Sequence, residues 1–209
     1  MLDIGCGTGV YALPLMQAGA AAVTGLDDSA GMLARLHAMA EQHSIAGVKT
    51  IKASWKAIDI DGFGLNKAFD IVLASMTPAL QTEQDFVNME RCSRRWCVYI
   101  GWGAKRENAL LSEVFAVHGL EFRAPQGFAA ASEVLASLGR KPSLDVWQSS
   151  REWKGTVAEA IENLSLQVEN HGVKPKPALI ESIVASYASL GQVRHSTLIE
   201  QGLLVWRVD

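Results

Sequence analysis

This sequence predicts a doubly wound α/β fold with a mainly parallel sheet, and three observations carry that prediction. The first hundred residues alternate short apolar runs with amphipathic helical stretches, the rhythm of βαβ units. The first apolar run ends in a glycine-rich turn, Gly5-Cys6-Gly7-Thr8-Gly9, which lets the backbone turn sharply and leaves N–H groups free at the start of a helix. The second ends in an acid, Asp27. Right-handed crossovers bring the carboxyl ends of parallel strands together, and open sheets of this kind bind ligands there.

Each element follows in order. Residues 1–4 form a first strand, cut very short. A helix runs from about Thr8 to Gln17 and stops at Gly19, with Pro14 tolerable near its first turns and a kink deeper in. Ala22–Asp27 (AVTGLD) is the second strand. Ser29 caps the next helix, whose Met32, Leu33, Leu36, Met39 and Ala40 share one face. Val48–Trp55 is the third strand and 69–75 the fourth. A helix over about 82–94, a fifth strand at Cys97–Trp102 and a helix over about Glu107–His118, closed by Gly119, complete this half.

Beyond residue 120 the rhythm changes. Gly127–Ala131 reads as a loop and Ser132–Leu138 as a helix closed by Gly139. Leu144–Trp153 reads as a strand with Leu144, Val146 and Ser149 on one side. Two helices follow, Thr156 to about Val168 and Pro177–Leu190, separated by the breaker-rich stretch 171–177. The chain closes as a hairpin, Arg194–Glu200 and Leu203–Val208, turning at Gln201-Gly202.

With 209 residues, 49% of them hydrophobic, the chain can close one well-buried core with an elaboration. A net charge of −3 supplies no field to hold a polyanion, so no nucleic-acid partner is expected. Arg91, Arg94 and Arg95 read as cations at the negative end of a helix. Cys6, Cys92 and Cys97 are odd in number and form no C-x-x-C pair. Neither a disulfide framework nor a metal site is indicated, and a reducing cytoplasm fits best. No apolar run approaches a membrane span and no signal peptide is visible.

The glycine spacing is G-x-G-x-G. The dinucleotide fingerprint G-x-G-x-x-G would need glycine at position 10, where Val10 stands. With Asp3 two residues ahead of it, the turn resembles motif I of the class I S-adenosylmethionine (SAM) dependent methyltransferases, typically (V/L)-L-D-x-G-C-G-T-G. Asp27, Ser29, Met32 and Leu33 repeat the order D-x-S-x-x-M-L found after that family's second strand, and Phe69-Asp70-Ile71-Val72 resembles its F-D-x-V strand. The motifs span about residues 2–103, and beyond them the likeness is architectural. Two departures stand out: Ser54 occupies the place of an acid that contacts adenine, and Ser75-Met76-Thr77-Pro78 stands where amino-directed members carry N/D-P-P-Y/F.

The resemblance implies a seven-stranded-type sheet with an antiparallel last strand in a single domain over 1–209. Residues 1–103 would be its cofactor-binding half. Residues 104–209 would be its substrate-side half, with a helical insertion about 155–190 that is either a lid or packing. It implies SAM as cofactor, S-adenosylhomocysteine as product and a small-molecule acceptor. Gly5, Cys6, Gly7, Thr8 and Gly9 would approach the methionine part, with Asp3 ordering nearby backbone or the ammonium; Cys6 itself reads as a small packed residue.

Asp27, beside Asp28, would take the ribose, and Met32, Ser54 and Trp55 the adenine. Ser75 would join the cofactor-binding residues, and Thr77 or Ser75 would offer a hydrogen-bonding group to the acceptor, with Trp102 more pocket-directed than Tyr99 and Lys105 and Arg106 available to an anionic acceptor. No histidine stands out as a base. Aminocarboxypropyl transfer and a non-catalytic SAM-binding subunit remain the alternatives. Because the family usually carries helices ahead of motif I, an upstream helix or other cover for that face is expected.

Overall fold

β1 (Leu2–Ile4) is three residues long and wholly buried, because it has a parallel neighbour on each side. It pairs with β2 (Val23–Asp27) through Leu2↔Thr24 to Ile4↔Leu26 and with β4 (Phe69–Ser75) through Leu2↔Val72 to Ile4↔Ala74. β3 (Val48–Lys52) adds to β2, and β5 (Ser93–Glu107) adds to β4, both parallel. The computed structural model describes residues 1–125 and 127–208. Its sheet order is β3-β2-β1-β4-β5-β8-β6, with β6 at Ser143–Thr156 and β8 at Gln192–Arg207, while the two-residue β7 (Ala188–Ser189) pairs antiparallel with β8. The sheet is mixed, with parallel strands first and antiparallel strands toward the C-terminus. It is the doubly wound α/β sheet expected.

The chain divides into two compact units: Met1–Gly101 with Gln126–Val146 and Gly202–Asp209, and Trp102–Pro125 with Trp147–Gln201. In the first, α1 (Ala12–Gln17), α2 (Ala30–Gln42), α3 (Glu83–Cys92) and α5 (Phe128–Ser137) join the strands. Its main core contains Leu2, Ile4, Leu26, Val72, Phe86, Met89, Leu135 and Leu204. Glu90, 6% exposed, is tied there by Arg140 Nε and Nη2, both at 2.8 Å, and by Trp206 Nε1 at 2.8 Å. Burial opposes its charge, but these donors hold its carboxyl below the usual range. One carboxylate thus joins α3 to the last strand and to the residue beyond α5.

In the second unit, α4 (Ala109–Val117), α6 (Val157–Glu169) and α7 (Pro177–Tyr187) enclose a separate core of Leu110, Val114, Phe115, Leu164, Val168, Ile180, Val184 and Val193. Asn108 caps α4, its Oδ1 accepting from Leu111 N at 3.0 Å. That leaves its Nδ2 to donate to His195 Nδ1 at 2.8 Å and Thr197 Oγ1 at 2.7 Å. The imidazole stacks on Trp153, and burial lowers its pKa. The cap therefore places the neutral ring's proton on Nε2, making His195 a donor there rather than a base. Among the described residues, no helix is long and apolar enough to cross a membrane.

Several elements differ from expectation. The helix assigned from Thr8 begins at Ala12, because positive φ at Gly7 and Gly9 holds the chain in turns. The third strand stops at Lys52, after which Trp55–Ala57 form one 3₁₀ turn. The helix of 82–94 ends at Cys92, so Arg94 lies on β5 and pairs with Asp70, while Arg91 pairs with Asp61. The Gly127–Ala131 loop is instead the start of α5, with Ala131 and Leu135 buried on one face. Leu144 and Val146, expected on one side of a strand, lie on β6 and are 52% and 43% exposed. The helix to Leu190 stops at Tyr187, and the chain turns at Leu190-Gly191, both at positive φ.

The hairpin at Gln201-Gly202 is absent, and β8 runs straight through it. Gly202 has no positive φ. Its glycine character serves a close approach, since a Cβ there would overlap the Phe128 ring. Buried positions change from odd numbers, Val193 and Ile199, to even ones, Gly202, Leu204 and Trp206. Gly202→Ala should destabilise the protein by about 1–3 kcal/mol through overpacking, read as a lower urea midpoint. Wild-type stability would show that Phe128 yields and that the close approach is unimportant.

Candidate functional site

The turn after β1 is built against the end of β2. Gly5 N and Cys6 N both donate to Leu26 O, at 2.7 and 3.1 Å, and Gly9 N donates to Cys6 O at 2.9 Å. Asp27 finishes the tie: its Oδ2 accepts from Gly7 N at 2.9 Å and its Oδ1 from Ser29 N at 2.9 Å. φ values of 67°, 52° and 86° at Gly5, Gly7 and Gly9 make the three glycines a steric requirement of this path. Ser29 caps α2 by accepting from Met32 N at 3.3 Å, so the cap and the strand-end acid are different residues.

Gly5, Leu26, Asp27, Asp28, Ala53, Ser54, Trp55, Lys56 and Thr77–Ala79 line a pocket of about 310 Å³. The sequence-predicted residues Gly5, Asp27, Asp28, Ser54 and Trp55 meet there, as does Thr77. Asp3, Cys6, Gly7, Thr8, Gly9, Met32 and Ser75 do not line it. Cys6 packs with Ala12, Val23, Leu33 and Leu36, and a Cβ at Gly25 would lie 2.7 Å from its sulfur. Burial, then the Asp3 and Asp27 carboxylates, push its thiol up to about 12, so it is a packed residue. Met32 is 41% exposed.

Sequence reasoning missed Lys56, whose Nζ reaches Gln81 Oε1 at 3.5 Å. Its signal was its place just beyond the third strand. The loop after β4 leaves the sheet through Met76, a non-glycine residue at φ 50°, whose N donates to Ile100 O at 2.8 Å. Thr77 then lies so close to Gly5 that any Cβ at Gly5 would overlap it. Trp55 Nε1 and Ser75 Oγ are buried polar atoms with no hydrogen-bond partner. Of the other expected residues, Tyr99 is buried in the core of the first unit. Trp102 and Arg106 belong to the second, where the guanidinium lies over the Trp102 and Phe122 rings at 5.3 and 4.4 Å.

Asp3 is 3% exposed. Burial, opposed by a hydrogen bond from the Ala12 backbone and reinforced by the Asp27 charge, raises its carboxyl to about 7. A buried acid titrating near neutrality can supply negative charge to a site that receives a cation. Among the described residues, no cluster of three or more histidine, cysteine, aspartate or glutamate side chains is arranged to hold a metal ion.

Residues 1–97 match the family model described as a methyltransferase domain. No curated protein sequence matches the chain. Among solved structures, the YcgJ protein of Bacillus subtilis is similar in fold, with a TM-score of 0.58 at 11% identity over 97% of this chain and 90% of that one. The [4+2]-cyclase SpnF gives 0.53 at 15%, over 99% and 73%. The magnesium protoporphyrin IX methyltransferase of Synechocystis PCC 6803 with bound S-adenosylhomocysteine gives 0.50 at 17%, over 96% and 71%. Sheet order and glycine turn thus define a Rossmann-like α/β fold, which these structures share. Residues 1–97 match a methyltransferase domain, and SAM-dependent methyl transfer is the activity this match supports.

The raised Asp3 carboxyl has a consequence for stability. Between about pH 4 and 7 the folded state keeps a proton that the unfolded chain has released, so stability falls as pH rises through that window. Asp3→Asn should remove that slope, which is on the order of a few kcal/mol for a shift of this size. Urea midpoints at pH 5 and pH 8 measure it; equal pH slopes in both proteins would place the Asp3 carboxyl at an ordinary pKa.

Proposed function

We propose that this chain methylates a small-molecule acceptor and that the pocket of Gly5, Asp27 and Ser54–Lys56 is its SAM site. One observation carries the reading: Gly5 of the glycine turn and Asp27 at the end of β2 line a single pocket, and the Gly7–Asp27 hydrogen bond ties the turn to that acid. The residues present fit the cofactor. Its sulfonium supplies an already activated methyl group, so the chain has to position and exclude water more than to move protons. Gly5, Gly7, Thr8 and Gly9 present backbone to the amino-acid end, and Asp3 supplies negative charge for its ammonium. Asp27, with Asp28 beside it, accepts from the ribose hydroxyls, and Ser54–Lys56 border the base.

Thr77 borders the same pocket from the loop after β4. No aromatic follows Pro78, which disfavours a flipped nucleobase stacked on a ring. Within this reading residues 1–103 serve the cofactor, while residues 104–209, including the helices of 155–190, serve the acceptor. Three cysteines that are all free and buried agree with a reducing, cytoplasmic setting.

Calorimetry with SAM and S-adenosylhomocysteine, followed by a small-molecule screen read by release of the latter, tests the proposal. Failure of both to bind would overturn it, and release of methylthioadenosine would assign aminocarboxypropyl transfer instead. Asp27→Ala should weaken binding of S-adenosylhomocysteine by roughly 10- to 100-fold, about 1.5–3 kcal/mol, for lost hydrogen bonds to a charged acceptor. Unchanged affinity in a folded variant would leave Asp27 as a tie for the turn and nothing more.

A further inference from the structure

The end of β3 brings donors to the pocket wall. Ala53, Ser54, Trp55 and Lys56 line it there, and the carboxylates in the lining, Asp27 and Asp28, both come from the end of β2. Ser54 starts the 3₁₀ turn without using its side chain as a cap, so its hydroxyl remains available to a ligand. Lys56 is held at the same wall by Gln81, at a distance of 3.5 Å that leaves most of its hydrogen-bonding capacity unspent. Trp55 is 3% exposed, and its indole N–H is buried without an acceptor. The segment therefore offers an ammonium, a hydroxyl and an orphan N–H, and no carboxylate.

Such a wall selects a purine by different atoms than an acid does. A carboxylate accepts from the exocyclic amine of adenine and rejects a base that carries a carbonyl at that position, because two acceptors then face each other. Lysine donates, and its natural partners on a purine are the ring nitrogen N7 and a carbonyl O6. Resting on the reading of this pocket as the SAM site with the base at Ser54–Lys56, we propose that Lys56 and Ser54 read the purine through its acceptor atoms. The protein then does not require the 6-amino group, and it takes a 6-oxopurine nucleoside as readily as adenosine.

Calorimetry on the full chain with S-adenosyl-L-homocysteine and S-inosyl-L-homocysteine tests this. The wild type should bind the two within about threefold of each other, reflecting a donor-lined edge. Lys56→Met should weaken the inosyl compound at least fivefold more than the adenosyl one, and Ser54→Asp should shift preference toward adenosyl by roughly tenfold. Both side chains are exposed, and thermal melts confirm that the variants fold. Tight adenosyl binding with more than tenfold rejection of the inosyl compound overturns the inference and leaves the cofactor reading intact. A ratio unmoved by either substitution also overturns it, and binding of neither compound by the wild type overturns both.

Discussion

The site depends on how the chain leaves β1. A strand of three residues, buried between two parallel neighbours, has no side chain to spare for steering the turn that follows it. Backbone does the steering: Leu26 O takes the N–H groups of Gly5 and Cys6, and the Asp27 carboxylate takes that of Gly7 while its other oxygen takes Ser29 N. Charge-assisted bonds to backbone N–H are among the stronger hydrogen bonds available, so a single acid both shapes the turn and sets the start of α2. Removing it leaves two donors without partners at the pocket rim.

A second constraint is the distance between the β1 turn and the loop after β4. Thr77 lies where a Cβ at Gly5 would be, and the chain reaches that position by placing Met76, a residue with a side chain, in the left-handed region. Such backbone conformations cost on the order of 1–3 kcal/mol and persist where surrounding contacts hold them. Here the hydrogen bond from Met76 N to Ile100 O supplies one such contact. Pocket shape is thus set by residues from four different strand ends, and each of them lies at a carboxyl terminus of the parallel half of the sheet.

Electrostatics at the site follow from burial. Asp3 sits beneath the turn with a carboxyl pushed up to about 7, whereas the Cys6 thiol is pushed up to about 12 and stays protonated. The two groups lie three residues apart, and burial has opposite consequences for them. The acid keeps a charge available near neutral pH, which a cationic ligand would draw out, while the thiol is withdrawn from chemistry. In the pocket lining itself Asp27 and Asp28 carry carboxylates and Lys56 an ammonium, so the wall changes sign between the ends of β2 and β3.

What the sequence by itself determined is what local chemistry encodes. Glycine spacing predicts the turn, the acid at the end of β2 predicts a carboxylate at the carboxyl edge of the sheet, where Asp27 lines the pocket, and periodicity predicts α2 with Ser29 as its cap. The parallel order follows from alternation of strand and helix. Tertiary structure alone decided the rest, because the decisive partners are far away in the chain. Gly202 reads locally as a turn residue, and only the Phe128 ring packed on it explains why it stands inside a sixteen-residue strand. Leu144 and Val146 alternate as a buried face would, yet their burial depended on a neighbour the sequence does not specify. Lys56 has no motif around it; it became a site residue because β3 ends beside β2, and strand adjacency is a property of the sheet.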